Sequence, residues 1–394
     1  MSRERLVSVA RRGLAHRAAG TQDQAERVVE IPVSDYIDPD RWRAEMDGVF
    51  KRLPLVVAAS CELREPHSYI AGEVAGTPYL VTRGGDGELR AFYNMCSHRG
   101  SIITPEGTGI AQRHTCGYHA WSYDDQGRLV GILDAQDFGE IDRSCFGLTP
   151  LACVERAGLV WIYLTSEPLI DIDTFLCGYD EMLEHLDFVD CHAVGRQTVP
   201  GPNWKIAYDG YLDFYHLPIL HRETFGPDMP TTAQYDAWGL HQRVTSPVSG
   251  NESLLDVAED EWRTKDLVGG VWTIFPHVSI AAFDANGRGW MVSLLYPGDE
   301  LGTSTTVQLF LQTREPDEAQ VEVLERTMAF YHHVVANEDY FTGLRLQRAL
   351  RSGGKAVTLF GRNEGGGQRF HRFLGELLAT ADEDLPTLFK SAAT

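Results

Sequence analysis

Cysteine is scarce in this chain. Seven are scattered over 394 residues, an odd number and a low density. That excludes a disulfide-stapled scaffold and points to a reducing, cytoplasmic setting. Basic residues are also few, with 35 Lys and Arg against 56 Asp and Glu, for a formal net charge of −21. Such a surface repels phosphate backbones, so nucleic acid and anionic membranes are poor partners. No run approaches the length of a membrane span, and no signal-peptide core stands near the start. Internal repeats and low-complexity tracts are absent. The first 19 residues hold five Arg and one acid. This composition is compatible with a transit peptide, but a surface helix is the expected reading.

What is present is ordinary globular material, 43% hydrophobic and 23% charged, long enough for two domains. Residues 38–50 predict a short amphipathic helix opened by Asp38 and Pro39. Residues 53–165 carry short β-rich runs separated by turns such as Gly84–Gly87 and Asp124–Gly127. Residues 171–186 predict a helix. Strands return over 240–315, including Val271–Phe275 and Ser304–Gln312. A long helix is expected over 316–350, where Val321, Leu324, Met328 and Tyr331 recur at helical spacing. Residues 352–367 predict a Gly-rich loop, and a last helix follows near 370–379. The fold class is α+β: a small antiparallel β domain and a larger antiparallel sheet covered by helices. The boundaries are 1–50 for an N-terminal helical segment packing on the catalytic domain, 51–165 for the β domain and 166–394 for the catalytic domain.

Two clusters carry chemistry. In the first, Cys96 and His98 lie two apart, and Cys116 and His119 three apart. Two thiolates and two imidazoles on tight loops suit structural zinc. They equally suit a 2Fe–2S cluster with both Cys on one iron and both His on the other. His114 falls outside this pattern and is expected on the surface. In the second cluster, Asn203, Trp204 and Lys205 precede Asp209, Asp213, His216 and His221. Residues 204–217 predict a buried helix. Five residues are a poor helical spacing for two histidines facing one point. Pro218 between them is expected to break the helix and swing His221 back. Two imidazoles and one carboxylate with open positions form the facial triad of non-haem Fe(II) oxygenases.

The sequence Cys96, His98, Arg99, Gly100 followed by Cys116, Tyr118, His119 and Trp121 resembles the Rieske centres of ring-hydroxylating oxygenases. The segment 203–221 resembles the iron segment of their catalytic α subunits, so the resemblance covers most of the chain. It implies a Rieske 2Fe–2S cluster on Cys96, His98, Cys116 and His119, and one mononuclear Fe(II) on His216 and His221. The third ligand comes from the segment Asn337–Asp339, with Asp339 favoured over Glu338. Asp213 is implied as the carboxylate joining the iron site to His119 of a neighbouring subunit. Asn203 is either near the iron or a structural hydrogen-bonder. Phe275 to Ser279 resembles a pocket-lining strand, so His277 and Ser279 are candidate pocket residues, with a core histidine as the alternative. Asp209 is a candidate supporting group.

The implied function is the terminal oxygenase that uses O2 and electrons from NAD(P)H, delivered by a ferredoxin or flavin reductase. The expected substrate is a small organic molecule, aromatic or otherwise largely apolar. Hydroxylation, cis-dihydroxylation and dealkylation share these motifs. The alternatives are a Rieske electron carrier without oxygenase chemistry and a zinc-stapled binding module. A homotrimer is implied, α-only or capped by a separate β subunit. Arg83, Arg90, Arg99, Arg113 and Arg128 are expected to form a relatively positive docking site near the cluster.

Overall fold

The computed structural model describes residues 2–248 and 252–392. Its largest element is a seven-stranded antiparallel sheet. Strands Gln234–Trp238, His241–Thr245, Val271–Ile274, Val278–Asp284, Arg288–Pro297 and Ser304–Gln312 follow one another as a meander. The long strand His192–Gly201 then closes the far edge against Ser304–Gln312. Ahead of this sheet lie three smaller antiparallel sheets of five, three and three strands, built from residues 55–162. One continuous apolar core joins Val56, Val160 and Ile162 of the front sheets to Trp272, Val292 and Leu309 of the large sheet. A second, smaller core holds Cys96, Cys116, Trp121 and Tyr123. This is the α+β architecture expected from the strand and helix patterns.

The N-terminal arginines are used in packing. Helix Ser2–Ala19 buries Leu6, Val7 and Ala10. Arg3 and Arg5 donate to the carbonyls of Trp262 and Ala237, and Arg12 pairs with Asp236. Residues 38–50 form helix Pro39–Glu45, capped by Asp38, running into a π-helical turn at Met46–Phe50.

Three predicted elements come out differently. The helix over 171–186 is split, because Cys177 and Gly178 both adopt left-handed backbone. The Gly-rich stretch is not all loop. Val357–Phe360 forms a strand paired with Val29–Pro32, and helix Gly365–Ala379 already begins within the stretch. Glycine is a weak helix former, but these positions need it. A Cβ on Gly366 would sit 2.5 Å from the Leu212 carbonyl, and one on Gly367 2.4 Å from the Phe360 ring. Close packing, not propensity, decides that helix. The long C-terminal helix runs as Glu318–Val334 and Tyr340–Leu350, joined by a π-helical turn at Val335–Asp339. Such turns re-aim side chains and often mark functional sites. This one carries Glu338 and Asp339.

Candidate redox and mononuclear metal centres

The two loops of the first cluster share one backbone design. The Cys96 amide donates to the Ser101 carbonyl, and the Gly100 amide to the Cys96 carbonyl. The Cys116 amide donates to Trp121, and the Ala120 amide to Cys116, in the same pattern. Each loop turns through a left-handed residue four positions after its cysteine: Gly100 at φ 78° and Ala120 at φ 58°. Two equivalent turns therefore present one thiol and one imidazole each. The His98 and His119 rings lie 4.7 Å apart, and His98 stacks on Trp121. Among the described residues, Nδ1 of His119 is buried without a hydrogen-bond partner, which suits an atom that coordinates a metal.

The thiols differ in character. Burial pushes Cys61 up to about 12 and Cys177 and Cys191 up to about 11, so these are inert. Burial also acts on Cys116, but the amides of Tyr118 and His119 and the neighbouring Cys96 outweigh it and hold that thiol below its ordinary value. A site that favours thiolate and leaves an imidazole nitrogen unpartnered fits a Rieske cluster.

Tyr123 is a site residue that the motif reading missed. Its hydroxyl lies 3.3 Å from the Cys96 sulfur and accepts a hydrogen bond from the Ser97 amide. The signal was faint, since Tyr123 stands in an ordinary strand pattern. A donor to a ligand sulfur stabilises the reduced, more negative cluster and raises its potential. Tyr123→Phe is therefore expected to lower the midpoint potential. A bond worth about 1.4 kcal/mol corresponds to roughly 59 mV for one electron. Protein-film voltammetry measures this directly.

Two surface expectations around the cluster are corrected. His114 is buried, with Nδ1 2.9 Å from the Thr104 hydroxyl and its ring edge-on to Tyr69. Its strand Arg113–Thr115 turns it inward. The arginine patch is largely neutralised. Arg83 pairs with Glu155, Arg90 with Asp86 and Arg128 with Asp124, while Arg99 sits over the Tyr118 ring. Of the five, only Arg113 is left as an exposed cation without an ion pair or ring contact among the described residues.

In the second cluster, the backbone leaves the helix earlier than expected. Helix Trp204–Asp209 ends before Asp213, and Asp213 stands in the turn that follows. Pro218 does not break a helix. It lies in the first turn of a new one, Leu217–Leu220, where a missing amide costs nothing. His216 and His221 cap its two ends.

The imidazoles are oriented by carboxylates. Nδ1 of His216 lies 3.0 Å from Asp213, and Nδ1 of His221 lies 2.7 Å from Glu338. Both Nε2 atoms then face Asp339 Oδ1, at 3.9 and 3.3 Å. Ligand atoms of His216, His221 and Asp339 all fall within 4.8 Å of one another. This is a carboxylate–histidine–metal arrangement made twice. It separates Glu338, on the outer nitrogen of one ring, from Asp339, which meets both inner nitrogens. Burial lowers the basicity of His221, but Asp339 and Glu338 outweigh it and raise the pKa above its ordinary value. The donor set is anionic and suits a divalent cation with open coordination positions.

Two cavities flank these side chains. The smaller, about 140 Å³, touches His216, His221 and Asp339 and is walled by aromatics including Tyr211, Phe214, Phe225 and Tyr331. The larger, about 290 Å³, opens on the other side of Asp213 and His216 and carries Asp209, Glu364 and Leu359. Asp209 lines the larger cavity only. Its two oxygens meet the Tyr36 hydroxyl and His371.

Asn203, His277 and Ser279 line neither cavity. Asn203 is fully buried and caps its helix. Its side chain accepts from the Lys205 amide and donates to the carbonyls of Tyr36 and Leu301. The catalytic role considered for it gives way to this structural one. Beside it, Lys205 and Trp204 both donate to the buried Glu45. His277 is a core histidine stacked on Tyr296, with Nε2 3.1 Å from the Val56 carbonyl. Ser279 is buried opposite Thr273 and Ser293 in the sheet.

Burial lowers both His277 and His241 to about 4, against an ordinary 6.5. The unfolded chain therefore binds protons between pH 6.5 and 4 that the folded chain refuses. Their contribution is complete above pH 6.5 and is lost as pH falls through that window. Each histidine should cost about 2 kcal/mol of stability by pH 5. Urea unfolding at pH 7 and pH 5 reads the loss, and His277→Gln should remove about half of it.

Residues 54–141 match the model of the Rieske [2Fe-2S] domain, and residues 188–380 match that of the ring hydroxylating alpha subunit (catalytic domain). The chain belongs to the Rieske ring-hydroxylating oxygenase alpha subunits. This alpha subunit is 31% identical over 195 residues to the glycine betaine monooxygenase oxygenase subunit of Chromohalobacter salexigens, covering 49% of the chain and 43% of that protein. It is 28% identical over 333 residues to the carnitine monooxygenase oxygenase subunit of Acinetobacter baumannii, covering 82% and 86%. The apo structure of the quaternary ammonium Rieske monooxygenase CntA superposes with a TM-score of 0.74 at 22% identity, covering 89% and 96% of the two chains. The fold is thus that of Rieske oxygenases. Two of these relatives are named for glycine betaine and carnitine, and the CntA structure for quaternary ammonium compounds. No helix among the described residues is long and apolar enough to cross a membrane.

Proposed function

We propose that this alpha subunit is the terminal oxygenase of a monooxygenase acting on a methylated ammonium compound. Cys96, His98, Cys116 and His119 hold the 2Fe–2S cluster, and His216, His221 and Asp339 hold the mononuclear Fe(II). When bound, the cluster supplies single electrons and the iron supplies O2 activation. The rest is done by the chain. Asp213 and Glu338 fix the rotamers and tautomers of the two histidines. The smaller cavity takes the substrate, because it alone of the two touches all three ligands.

The observation that carries the substrate class is the chemistry of that cavity. Its wall is apolar and rich in aromatics, and among the described residues its only charged side chains besides the histidines are the carboxylates Asp213 and Asp339. Aromatic faces and carboxylates attract a quaternary ammonium. The relatives' names support the same class.

A reductase fed by NAD(P)H supplies electrons to the cluster. In a homotrimer, His216, His221 and Asp339, which would hold the iron, would face the cluster loops of a neighbouring copy. Exposed Met95, Ile102 and Tyr118 surround one centre, and exposed Tyr215, Ile219 and Leu359 lie near the other. Apolar patches of this kind are suited to mutual burial. A head-to-tail contact of the two closes into a ring.

Oxygen uptake by iron-loaded protein, with a surrogate reductase, tests the reading against a panel of methylated amines and aromatic hydrocarbons. Turnover is expected with the amines. Turnover with the aromatics alone overturns the substrate class. A monomer by light scattering overturns the ring.

A further inference from the structure

We infer that the cavity selects a cation whose tail is neutral, an amino alcohol or ester, and discriminates against zwitterions that carry a carboxylate. This deepens the methylated-ammonium reading and rests on it. Among the described residues, no Lys or Arg lines the smaller cavity. A substrate carboxylate would leave water there with no cationic side chain to pair with, which is costly. The surrounding field makes this worse. Asp213, Glu338 and Asp339 supply three negative charges within hydrogen-bond or ion-pair reach of the two histidines. Even a bound Fe(II) leaves that group one charge negative. The field that draws in an ammonium therefore repels an acid at its other end, a discrimination built by repulsion as much as by attraction.

The same wall does provide neutral partners. Tyr211 and Tyr340 line the cavity; their hydroxyls lie 3.4 Å apart, and the Tyr340 hydroxyl also meets that of Thr306. Burial pushes Tyr211 up to about 12, so it stays protonated at neutral pH. Neutral hydroxyls satisfy an alcohol or ester oxygen, but they do not replace a cation opposite a carboxylate.

Isothermal titration of the iron-loaded protein, without reductase, tests this by binding alone. The probes are choline against glycine betaine, γ-butyrobetaine methyl ester against γ-butyrobetaine, and 3,3-dimethylbutan-1-ol as the uncharged analogue of choline. The neutral-tailed cation of each pair is expected to bind at least about tenfold more tightly than its acid. Val271→Arg, which adds a cation to the cavity wall, is expected to narrow or reverse that ratio. Equal or tighter binding of the acids by the wild-type protein overturns the inference while leaving the ammonium reading intact. If 3,3-dimethylbutan-1-ol binds as tightly as choline, the ammonium reading itself fails. Binding of none of the probes overturns both.

Discussion

An Asp339→Ala protein is expected to keep its brown colour, lose its mononuclear iron and turn over at background rate. Asp339 is the carboxylate met by the inner nitrogens of both histidines. Without it two imidazoles remain, too few donors to hold Fe(II) against dissociation. The loss in metal affinity should exceed the roughly 10–100-fold typical of removing an outer-shell partner. Glu338→Gln supplies that comparison, since Glu338 hydrogen-bonds the outer nitrogen of His221 and the Thr224 hydroxyl. Iron and sulfide analysis reads the result. The wild type should carry about three irons for two sulfides, and Asp339→Ala about two, with the visible spectrum of the cluster unchanged. Normal iron content in Asp339→Ala would refute the assignment.

Asp213→Asn should leave both metal centres and the oligomer intact while slowing electron transfer steeply. One oxygen of Asp213 accepts from the His216 amide and lies against its ring nitrogen, within the chain. Asp213 also borders the larger cavity, on the side away from Phe225 and Tyr331. Under the ring assembly, that side receives His119 of a neighbouring copy. A carboxylate accepts from two imidazoles at once, and such charged bonds are the strong ones. An amide at the same position can turn its NH2 group toward either ring and loses the charge. Cluster oxidation in single-turnover stopped-flow should slow by about 10–100-fold or more, as for other partners that orient ligand histidines. An unchanged rate would show that Asp213 only orients His216.

The parts of the molecule differ in how far they could be read beforehand. The cluster loops were legible because their chemistry is local. A cysteine and a histidine two or three residues apart can meet one centre only from a tight turn, and Gly100 and Ala120 make those turns. The strands Val271–Ile274 and Ser304–Gln312 were legible from β-branched and apolar runs. His277 was not, since a histidine in an apolar strand reads the same in a pocket wall and in a core. Only the Val56 carbonyl opposite its ring decides between them. His114 was missed for the same reason: strand alternation turned it inward toward Thr104. Helix Gly365–Ala379 was missed at its start because local propensity argues against three glycines, while Leu212 presses close on Gly366 and Phe360 on Gly367.

What the sequence determined by itself was the donor inventory, the two loops of the cluster and the α+β pattern. These follow from residue type and short-range spacing, which act before the chain folds. What only the tertiary structure decided was the pairing of donors far apart in sequence. His221 and Glu338 are 117 residues apart and meet at 2.7 Å. Glu338 and Asp339 stand in one π-helical turn, whose extra residue re-aims the side chains on the helix. The cavity wall beside His216, His221 and Asp339 is likewise drawn from helices and strands between residues 207 and 340. Its field is a sum over all of them, and no local stretch of sequence contains it.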